Sequence, residues 1–491
     1  MNISIIGAGI GGLSSACLLA AKGHKIEVFE KNESAGGKMN ELKEDGFRFD
    51  TGPSLLTMPF VLQRLYEECG TSLHAELELL PLDPICTYFY QDGTTFTNYE
   101  DHKATLKEIE RIAPEDLEAY EQFLGYAQAL YHRTADAFIF NPLYDFSDFR
   151  QLNLLSFFGI DAFTTVSQRI DSMFTSSYLR QFFKRFTTYN GSSPYQAPAT
   201  LNVIPHVEIN LGGHYIKGGL YTLAESLEAL ARSLGVNFHY GAGVTTILTK
   251  NKKAQGLKLE NGEEIYSDLV LSNSDVTETI TQLLPDEAIP TWRKQQAESI
   301  EPSCSGFVLM LGIDRKYEHL SHHNIFFSED YETEFRQIFR EKVMPEDPTI
   351  YVANTSHSDH SHAPEGGSNL FILVNAPYLS DQYDWETNKK AYGDNIITEL
   401  EKRGLENLSA HIQFRENITP EDFYEKYRSN KGSIYGTSSN SKFSAFIRPR
   451  NKSRNIEGLY FTGGSTHPGG GIPLVIQSAF NAANLIERYE E

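Results

Sequence analysis

Glycines and one acidic residue near the start of the chain have the types and spacing of a phosphate-binding turn. Gly7, Gly9 and Gly12 satisfy the pattern G-x-G-x-x-G, and Glu30 follows Gly12 by 18 residues. Glycines in this pattern allow a tight turn, a close approach of the backbone to a pyrophosphate, and close packing of a helix on a strand. A carboxylate at the later position accepts hydrogen bonds from ribose hydroxyls and repels a 2′-phosphate. The spacing therefore predicts a dinucleotide site that NADP would fit poorly.

The residues around this turn must form a βαβ unit if the glycines are to face a pyrophosphate. Residues 2–6 and 25–29 are short apolar runs typical of buried strands, and residues 13–21 have the length and composition of a helix. The free N–H groups at the start of that helix would meet the phosphate charge. This context on both sides of the turn favours dinucleotide binding over a tight turn alone.

A second glycine pair follows the acid. Gly36 and Gly37 offer another close backbone approach, and Lys38 can supply a positive charge to the pyrophosphate. A surface turn with a solvated lysine explains the same residues equally well. The sequence leaves both interpretations open.

Later parts of the chain return to the α/β pattern. Residues 221–234 have helical spacing, residues 257–266 predict a hairpin around an Asn-Gly turn, and residues 268–271 predict a short strand. Near the C-terminus, residues 459–461 predict a strand and residues 473–488 a helix. We therefore expect three separate segments to build one nucleotide-binding domain.

The segment between residues 138 and 189 is unusually aromatic and basic. It holds fourteen aromatic residues in 52, against 12% for the whole chain. Residues 150–189 carry a charge of +3, from the basic residues Arg150, Arg169, Arg180, Lys184 and Arg185 against Asp161 and Asp171. Aromatic and basic residues on helices are typical of an anionic lipid interface. A helical core with solvated basic rims is the alternative, and both stay open.

Composition excludes several classes of protein. The formal charge of −22 argues against nucleic-acid binding, which needs a clustered basic surface. The four cysteines form no C-x-x-C pair, so neither a disulfide framework nor a zinc knuckle is indicated, and a reducing cytoplasm is expected. Glycines interrupt the uncharged first 21 residues, and no stretch reaches the length of a membrane span, so an integral membrane protein is not expected.

Three histidines have a spacing that resembles a metal site. His357, His360 and His362 form H-x-x-H-x-H in a stretch rich in Ser, Asp, Pro and Gly. Such composition predicts an exposed loop, and zinc sites need firmer support. We therefore expect no metal here.

The C-terminal segment at residues 459–479 contains a run from Gly463 through Thr466-His467-Pro468 to Ile472. This segment resembles the signature of phytoene-desaturase-type carotenoid desaturases of bacteria and fungi. These are FAD enzymes of the amine-oxidase-like flavoprotein superfamily. The segments at residues 50–54, 218–220, 272–275 and 446–449 agree, so the resemblance spans almost the whole chain.

The resemblance implies an α/β fold in which a Rossmann-like FAD-binding domain is joined to a discontinuous substrate domain. The implied FAD-binding domain comprises residues 1–70, 200–300 and 415–491, and the substrate domain residues 71–135 and 301–414. Residues 136–199 would form an aromatic-rich helical subdomain, where membrane contact is one of the two interpretations above.

The resemblance also implies which residues contact FAD. They are Gly7, Gly9, Gly12, Glu30, Gly37, Lys38, Thr51, Gly52, Pro53, Ser54, Val244, Asn273, Gly463, Gly464, Gly471 and Ile472. Residues 51–54 would lie beside the isoalloxazine, and Val244 would meet the adenine through its backbone. The helix that opens near Ile472 would face the flavin pyrimidine ring, where the reduced flavin gathers negative charge.

The family reaction removes two hydrogens beside a polyene, and the flavin itself does the chemistry. We therefore expect a long apolar tunnel, with His467, Asp50 and Arg150 as candidate polar helpers. For each of the three, a structural role is the stronger interpretation: His467 and Asp50 would organise flavin loops, and Arg150 would be a solvated charge.

The run at residues 50–59 is more similar to 1-hydroxycarotenoid 3,4-desaturases than to phytoene desaturases. The implied reaction is 3,4-desaturation of a 1-hydroxylated carotenoid. Phytoene or diapophytoene desaturation, carotenoid isomerisation, flavin-dependent amine oxidation and a non-catalytic lipid-binding flavoprotein remain alternatives. A long apolar substrate implies a peripheral position at the inner face of the bacterial cell membrane. The electron acceptor is not identified by the sequence, and oxygen and a quinone are the candidates.

Overall fold

A five-stranded parallel sheet carries the glycine-rich turn in the computed structural model, which describes residues 1–135, 139–140, 144, 160–441 and 448–490. Its strands, in spatial order, are Leu459–Phe461, Leu269–Ser272, Asn2–Ile6, Lys25–Phe29 and Asn237–His239. They come from the three segments that the sequence assigns to one domain. The register pairs Ile6 with both Phe29 and Ser272, and Ser272 with Phe461, so the carboxyl ends of these strands lie side by side.

Three helices pack around this sheet. They are Ile10–Ala21, Tyr221–Ser233 and Ile472–Glu490. The first is buried along almost its whole length, because the other two cover it. It begins at Ile10 rather than at residue 13, since Gly9 is extended and the weak helix formers Gly11 and Gly12 are held by packing. The α/β fold and the βαβ unit expected from the sequence are confirmed.

A seven-stranded mixed sheet forms the second layer. Its strands, in spatial order, are Ile412–Ile418, Ser305–Ile313, Ser368–Ala376, Ile350–Ala353, His323–Phe326, Cys86–Phe89 and Thr95–Asn98. Ser305–Ile313 is buried at every position. Helix Trp385–Lys402 packs on one face, where Phe307 stacks on Trp385. The opposite face contributes Val308, Phe371 and Leu373 to a cavity.

Smaller sheets complete the strand content. Val244–Lys250, Lys253–Leu259 and Glu264–Tyr266 form a three-stranded antiparallel sheet that contains the hairpin expected around Asn261-Gly262. Glu41–Glu44 pairs with Phe47–Asp50, and Leu79–Pro81 pairs with His214–Ile216. The other described α-helices are Pro59–Glu68, Leu73–Glu76, His102–Ile112, Leu117–Ala135, Val166–Met173, Ser177–Lys184, Val203–Pro205, Val276–Glu278, Thr291–Glu298, Tyr331–Arg336 and Pro420–Tyr427.

The aromatic segment forms a protein core in its described part. Phe174, Phe182, Phe183 and Phe186 are buried and pack against Phe123 of helix Leu117–Ala135. Phe163, in contrast, is 83% exposed. The described aromatics therefore match the helical-core interpretation, whereas contact with a membrane stays a prediction.

The basic residues of the same segment have acidic partners. Arg169 pairs with Asp161, and Arg180 and Lys184 both pair with Asp171. Arg185 lies inside the protein, so its assignment to a solvated or lipid-facing rim is wrong. Arg150 lies outside the described residues.

The proposed domain boundaries stay predictions, although strand Ile412–Ile418 crosses the boundary placed at residue 415. Within the described part of the chain, none of the helices combines the length and the apolar composition needed to cross a bilayer.

Candidate functional site

A cavity of about 960 Å³ opens at the carboxyl ends of the parallel strands. Gly7, Glu30 and Asn273 each come directly after one of these strands, and Gly463 comes two residues after another. All four line the cavity. Ligands of open α/β sheets bind at this edge, so the topology brings together residues that are far apart in sequence.

The glycine turn is tight enough to exclude side chains. Gly7 has a φ of +89°, and a Cβ on Gly12 would lie 2.1 Å from the Gly7 carbonyl oxygen. Gly9 is the extended residue before helix Ile10–Ala21, and among the described residues no side chain caps that helix. Its first N–H groups are therefore available to a phosphate.

Asn273 packs between two glycine turns. A Cβ on Gly11 would lie 2.4 Å from Asn273 Oδ1, and a Cβ on Gly463 would lie 2.7 Å from the same oxygen. The Asn273 backbone N–H donates to the Ile6 carbonyl at 2.8 Å, which fixes the residue to the sheet. The N-terminal and C-terminal glycine turns thus approach one another through this amide.

Glu30 is buried and its carboxylate stiffens the turn. Its Oε2 accepts the Ala8 backbone N–H at 2.7 Å. Its Oε1 accepts the backbone N–H and the side-chain amide of Asn32 at 2.9 and 2.8 Å. Oε2 accepts only one of these hydrogen bonds and can accept a second, so these contacts are compatible with a ribose ligand.

Lys38 binds protein carbonyls. Its Nζ donates to the Ser433 and Ile434 carbonyl oxygens at 2.9 and 3.1 Å. Burial lowers its pKa to about 8, against the opposing effect of Asp275. The solvated-lysine interpretation is therefore wrong, while a role toward the pyrophosphate stays a prediction. Gly37 packs closely against the first glycine turn, since a Cβ on Gly37 would lie 3.1 Å from the Gly9 Cα, whereas its approach to the pyrophosphate stays a prediction.

The segment at residues 51–54 lies in the cavity wall, between the two sheets. A Cβ on Gly52 would lie 2.0 Å from the Lys38 carbonyl oxygen, so the chain passes very close to the second glycine pair. Thr51, Pro53 and Ser54 line the same wall. A position of this segment beside the isoalloxazine stays a prediction.

Asp50 is a structural residue and does not line the cavity. It accepts hydrogen bonds from Arg48 at 2.7 Å, from the Tyr215 hydroxyl at 2.6 Å and from the Tyr221 backbone N–H at 3.1 Å. Because its oxygens bind three donors, they join strand Phe47–Asp50 to strand His214–Ile216 and to the start of helix Tyr221–Ser233. Its expected role in organising flavin loops stays a prediction.

His467 is also outside the cavity lining. Burial and the nearby Arg448 charge lower its pKa to about 4, so the ring is neutral. Its backbone N–H donates to the Pro449 carbonyl at 2.9 Å. It supports the turn before the last helix, in agreement with the structural role expected for it.

The C-terminal turn brings a second helix start to the cavity. Gly463, Gly464, Gly471 and Ile472 all line it. Helix Ile472–Glu490 begins there, so its positive end would favour negative charge on a ligand bound in the cavity, while its contact with the flavin pyrimidine ring stays a prediction. Val244 also lines the cavity, and its expected contact with the adenine stays a prediction.

The histidine cluster departs from the expected exposed loop. His357 and His360 are exposed, but His362 is buried and its Nδ1 shares a 2.9 Å hydrogen bond with the Thr355 hydroxyl. Two short 3-10 turns, Thr355–His357 and His360–His362, replace the predicted irregular chain. Within the described ranges, no three His, Cys, Asp or Glu residues are grouped as a metal ion would require.

Sequence reasoning missed the polar residues at the other end of the cavity. Ser54 Oγ lies 2.6 Å from the Tyr351 hydroxyl, which lies 2.7 Å from His323 Nδ1. Burial lowers the pKa of His323 to about 3, helped by the Arg185 charge, so the imidazole is neutral. The sequence does contain a signal for His323, because a His-His-Asn run interrupts an apolar stretch that is typical of a strand.

The family model of flavin-containing amine oxidoreductases matches residues 10–487. The chain belongs to this family. As a member, it is an oxidoreductase and a flavoprotein, and its cofactor is FAD. The glycine turns that exclude a Cβ, the buried Glu30 and the two helix starts fit a dinucleotide that ends in a flavin.

Curated relatives of this flavin-containing amine oxidoreductase include 4,4′-diaponeurosporene oxygenases of Staphylococcus aureus. The protein of strain MW2 is 37% identical over 492 residues, covering 100% of this chain and 98% of the relative. The protein of the bovine strain RF122 is 36% identical with the same coverage.

Solved structures share the fold. An oxidoreductase from Methanosarcina mazei has a TM-score of 0.66 at 18% identity, covering 99% of this chain and 100% of that one. Cyclohexylamine oxidase from Brevibacterium oxydans has a TM-score of 0.63 at 14% identity, covering 100% and 99%. At such identities the similarity establishes architecture alone.

Proposed function

We propose that the protein is an FAD-dependent oxidoreductase of carotenoid biosynthesis that oxidises the end of a long acyclic carotenoid. The observation that carries the proposal is full-length similarity, at 37% identity, to proteins named 4,4′-diaponeurosporene oxygenases. Amine oxidation is less favoured, because the amine oxidases among the similar structures share only 12–14% identity.

The cavity supports a substrate of this kind. Beyond the glycine turns it is lined by Ile85, Val308, Ile325, Phe371 and Leu373. Apolar walls of this extent suit a hydrocarbon chain and keep water from the reacting carbon.

In the proposed reaction, bound FAD supplies a two-electron acceptor for hydrogen removed from carbon. The chain positions and protects this chemistry. The start of helix Ile472–Glu490 stabilises negative charge, and the hydrogen-bonded series from Ser54 through Tyr351 to His323 holds a proton beside the cavity. Because His323 is neutral, its Nδ1 can accept from Tyr351.

The first candidate reaction introduces oxygen at the chain end, as the name of the relatives states. The second is the 3,4-desaturation of a 1-hydroxylated carotenoid expected from residues 50–59. Both reactions act near the end of the polyene and differ in product mass, which makes them separable.

The test is to co-express the protein with pathways that supply diaponeurosporene or 1-hydroxylated carotenoids, and to analyse the pigments by chromatography, absorption and mass. We expect one oxygen atom of labelled dioxygen to replace two hydrogens on a carbon at the chain end, while the second oxygen atom leaves with those two hydrogens as water. Loss of two hydrogens with a red shift from the hydroxylated substrate would instead establish 3,4-desaturation. An unchanged mass with altered absorption would indicate isomerisation, and no product with either substrate would contradict the proposal.

We further propose that the protein binds peripherally to the inner face of the bacterial membrane, where its substrate dissolves, and passes electrons to oxygen or a quinone. Phe163, the most exposed large apolar residue described, is a candidate anchor. Phe163→Asp should weaken co-sedimentation with anionic vesicles, whereas Trp292→Asp, at a residue 56% exposed on a separate helix, should not. Equal binding by both variants would contradict this anchor.

A further inference from the structure

A buried ion pair lies in the wall of the otherwise apolar part of the cavity. Arg185 begins the 3-10 turn Arg185–Asn190, and Glu208 lies in the single wide turn His206–Asn210. Their side chains are 6% and 2% exposed, and the guanidinium donates directly to the carboxylate. Both residues line the cavity.

Two tyrosines complete the cluster. The Arg185 guanidinium also donates to the Tyr88 hydroxyl, and the Tyr189 hydroxyl donates to Glu208. The guanidinium carbon lies 4.1 Å from the centre of the Phe186 ring, which holds it between aromatic faces. The pair is therefore fixed in position before any substrate arrives.

Such a pair is costly in a wall that contacts only hydrocarbon. Removing two charges from water is expensive, and apolar residues of similar size commonly stabilise a protein as well or better. The cluster also has unused hydrogen-bonding capacity. Among the described residues, Arg185 Nε, Tyr331 Oη and His323 Nε2 have no hydrogen-bond partner, and all three side chains belong to the cavity lining.

The charge of the cluster limits what it can bind. Although burial opposes the charged form, the Glu208 carboxylate raises the pKa of Arg185, so the guanidinium stays ionised and its charge is already balanced. A second carboxylate would meet an almost neutral site, whereas a neutral oxygen can accept from a free N–H without disturbing the pair.

We propose that the Arg185–Glu208 cluster recognises a neutral oxygen, a hydroxyl or a carbonyl, on the substrate's otherwise apolar chain. The inference rests on the proposed function and ranks its candidate substrates: 1-hydroxylated carotenoids, which carry an oxygen when they bind, should be preferred over diaponeurosporene, which carries none. A substrate of this class would leave one end among the aliphatic residues and bring its oxygen to Arg185.

The test compares two acyclic carotenoids of equal conjugated length, one with a terminal hydroxyl and one without, using the FAD-loaded enzyme. Binding is measured by quenching of protein fluorescence, so it does not depend on turnover. We expect wild-type enzyme to prefer the hydroxylated chain by about 10- to 100-fold in both dissociation constant and kcat/KM, as a hydrogen bond to a charged group provides.

Variants separate recognition from folding. The double variant Arg185→Met with Glu208→Leu removes both charges together. Its affinities for the hydroxylated and the unhydroxylated carotenoid should be nearly equal, and the change should be seen in KM rather than in kcat. Arg185→Lys should restore part of the preference, because an ammonium keeps a donor and the charge. The matched control is Arg232→Met with Glu228→Leu, an exposed helical ion pair, which should keep the wild-type preference.

The outcomes distinguish this inference from the proposed function. Equal binding of both carotenoids by wild-type enzyme overturns the inference even if both are oxidised. A preference that survives the double variant also overturns it. Preferential binding without any product would support the recognition site while contradicting the proposed reaction.

Discussion

The substitution Gly12→Ala tests whether the first glycine turn is as tight as the structure describes. The added Cβ would lie 2.1 Å from the Gly7 carbonyl oxygen, 0.9 Å inside the 3.0 Å that real Cβ contacts keep. The obstacle is backbone rather than a flexible side chain. Helix Ile10–Ala21 would therefore have to move away from the strand, although helix Ile472–Glu490 packs against it.

Overpacking of this kind costs about 1–3 kcal/mol. Since the displaced helix start is where we expect the pyrophosphate to bind, FAD affinity should fall by about 5- to 150-fold. The assay is the ratio of flavin to protein absorbance after purification, followed by titration of the apoprotein with FAD and a thermal melt.

Gly125→Ala is the matched control. Gly125 lies in helix Leu117–Ala135, is exposed, and a Cβ there would meet nothing within 4 Å in the described structure. Alanine favours a helix over glycine by about 0.5–1 kcal/mol, so this variant should keep FAD and melt slightly higher. Wild-type FAD affinity and melting temperature in Gly12→Ala would refute the reasoning about the turn.

Three further predictions concern other buried groups. Asp50→Asn should lower the free energy of unfolding, measured in urea, by about 3 kcal/mol, because it leaves the buried Arg48 without its closest negative charge. As a control, Lys390→Ala breaks an exposed ion pair and should change the free energy of unfolding by less than about 0.5 kcal/mol. Similar losses in the two variants would contradict this prediction. Burial raises the pKa of Glu334 to about 7, so its folded form binds a proton more tightly than the unfolded chain. Stability should therefore fall as pH rises from about 4.5 to 7, and Glu334→Gln should flatten that slope in unfolding measured across this range. Tyr351→Phe breaks the series between Ser54 and His323 and should lower kcat on the order of 100-fold with FAD content unchanged; an unaltered kcat would remove Tyr351 from the mechanism.

The dinucleotide half of the site is predictable because its signals are local. The glycine pattern, the strands on either side and Glu30 lie within the first 30 residues, and each constrains the same βαβ geometry. Even there, the helix begins at Ile10 because tertiary packing overrides the poor helix propensity of Gly11 and Gly12. The contacts of Lys38 are not predictable from the local sequence, because the carbonyl groups that it binds belong to residues 433 and 434.

The substrate half depends on contacts between distant segments. Strand Cys86–Phe89 lies beside strand His323–Phe326, more than 230 residues later, and this pairing brings Cys86 into the same cavity wall as His323. The residue pattern of neither segment indicates that the two strands lie side by side. The sequence therefore predicts one surface group of basic residues, although Arg185 pairs with the buried Glu208 and Lys184 with the more exposed Asp171.

The sequence nevertheless points to the substrate half at positions where polar residues interrupt a buried apolar run. His322, His323 and Asn324 are all buried at the start of a strand whose next residues are Ile, Phe and Phe. A buried polar side chain must find a partner or serve a ligand, so such interruptions point to structural networks or to binding sites. Here they do both: Asn324 bonds to strand backbone, and His323 reaches Tyr351 beside the cavity. Interrupted strands thus indicate where a substrate site lies when glycine patterns have located only the cofactor.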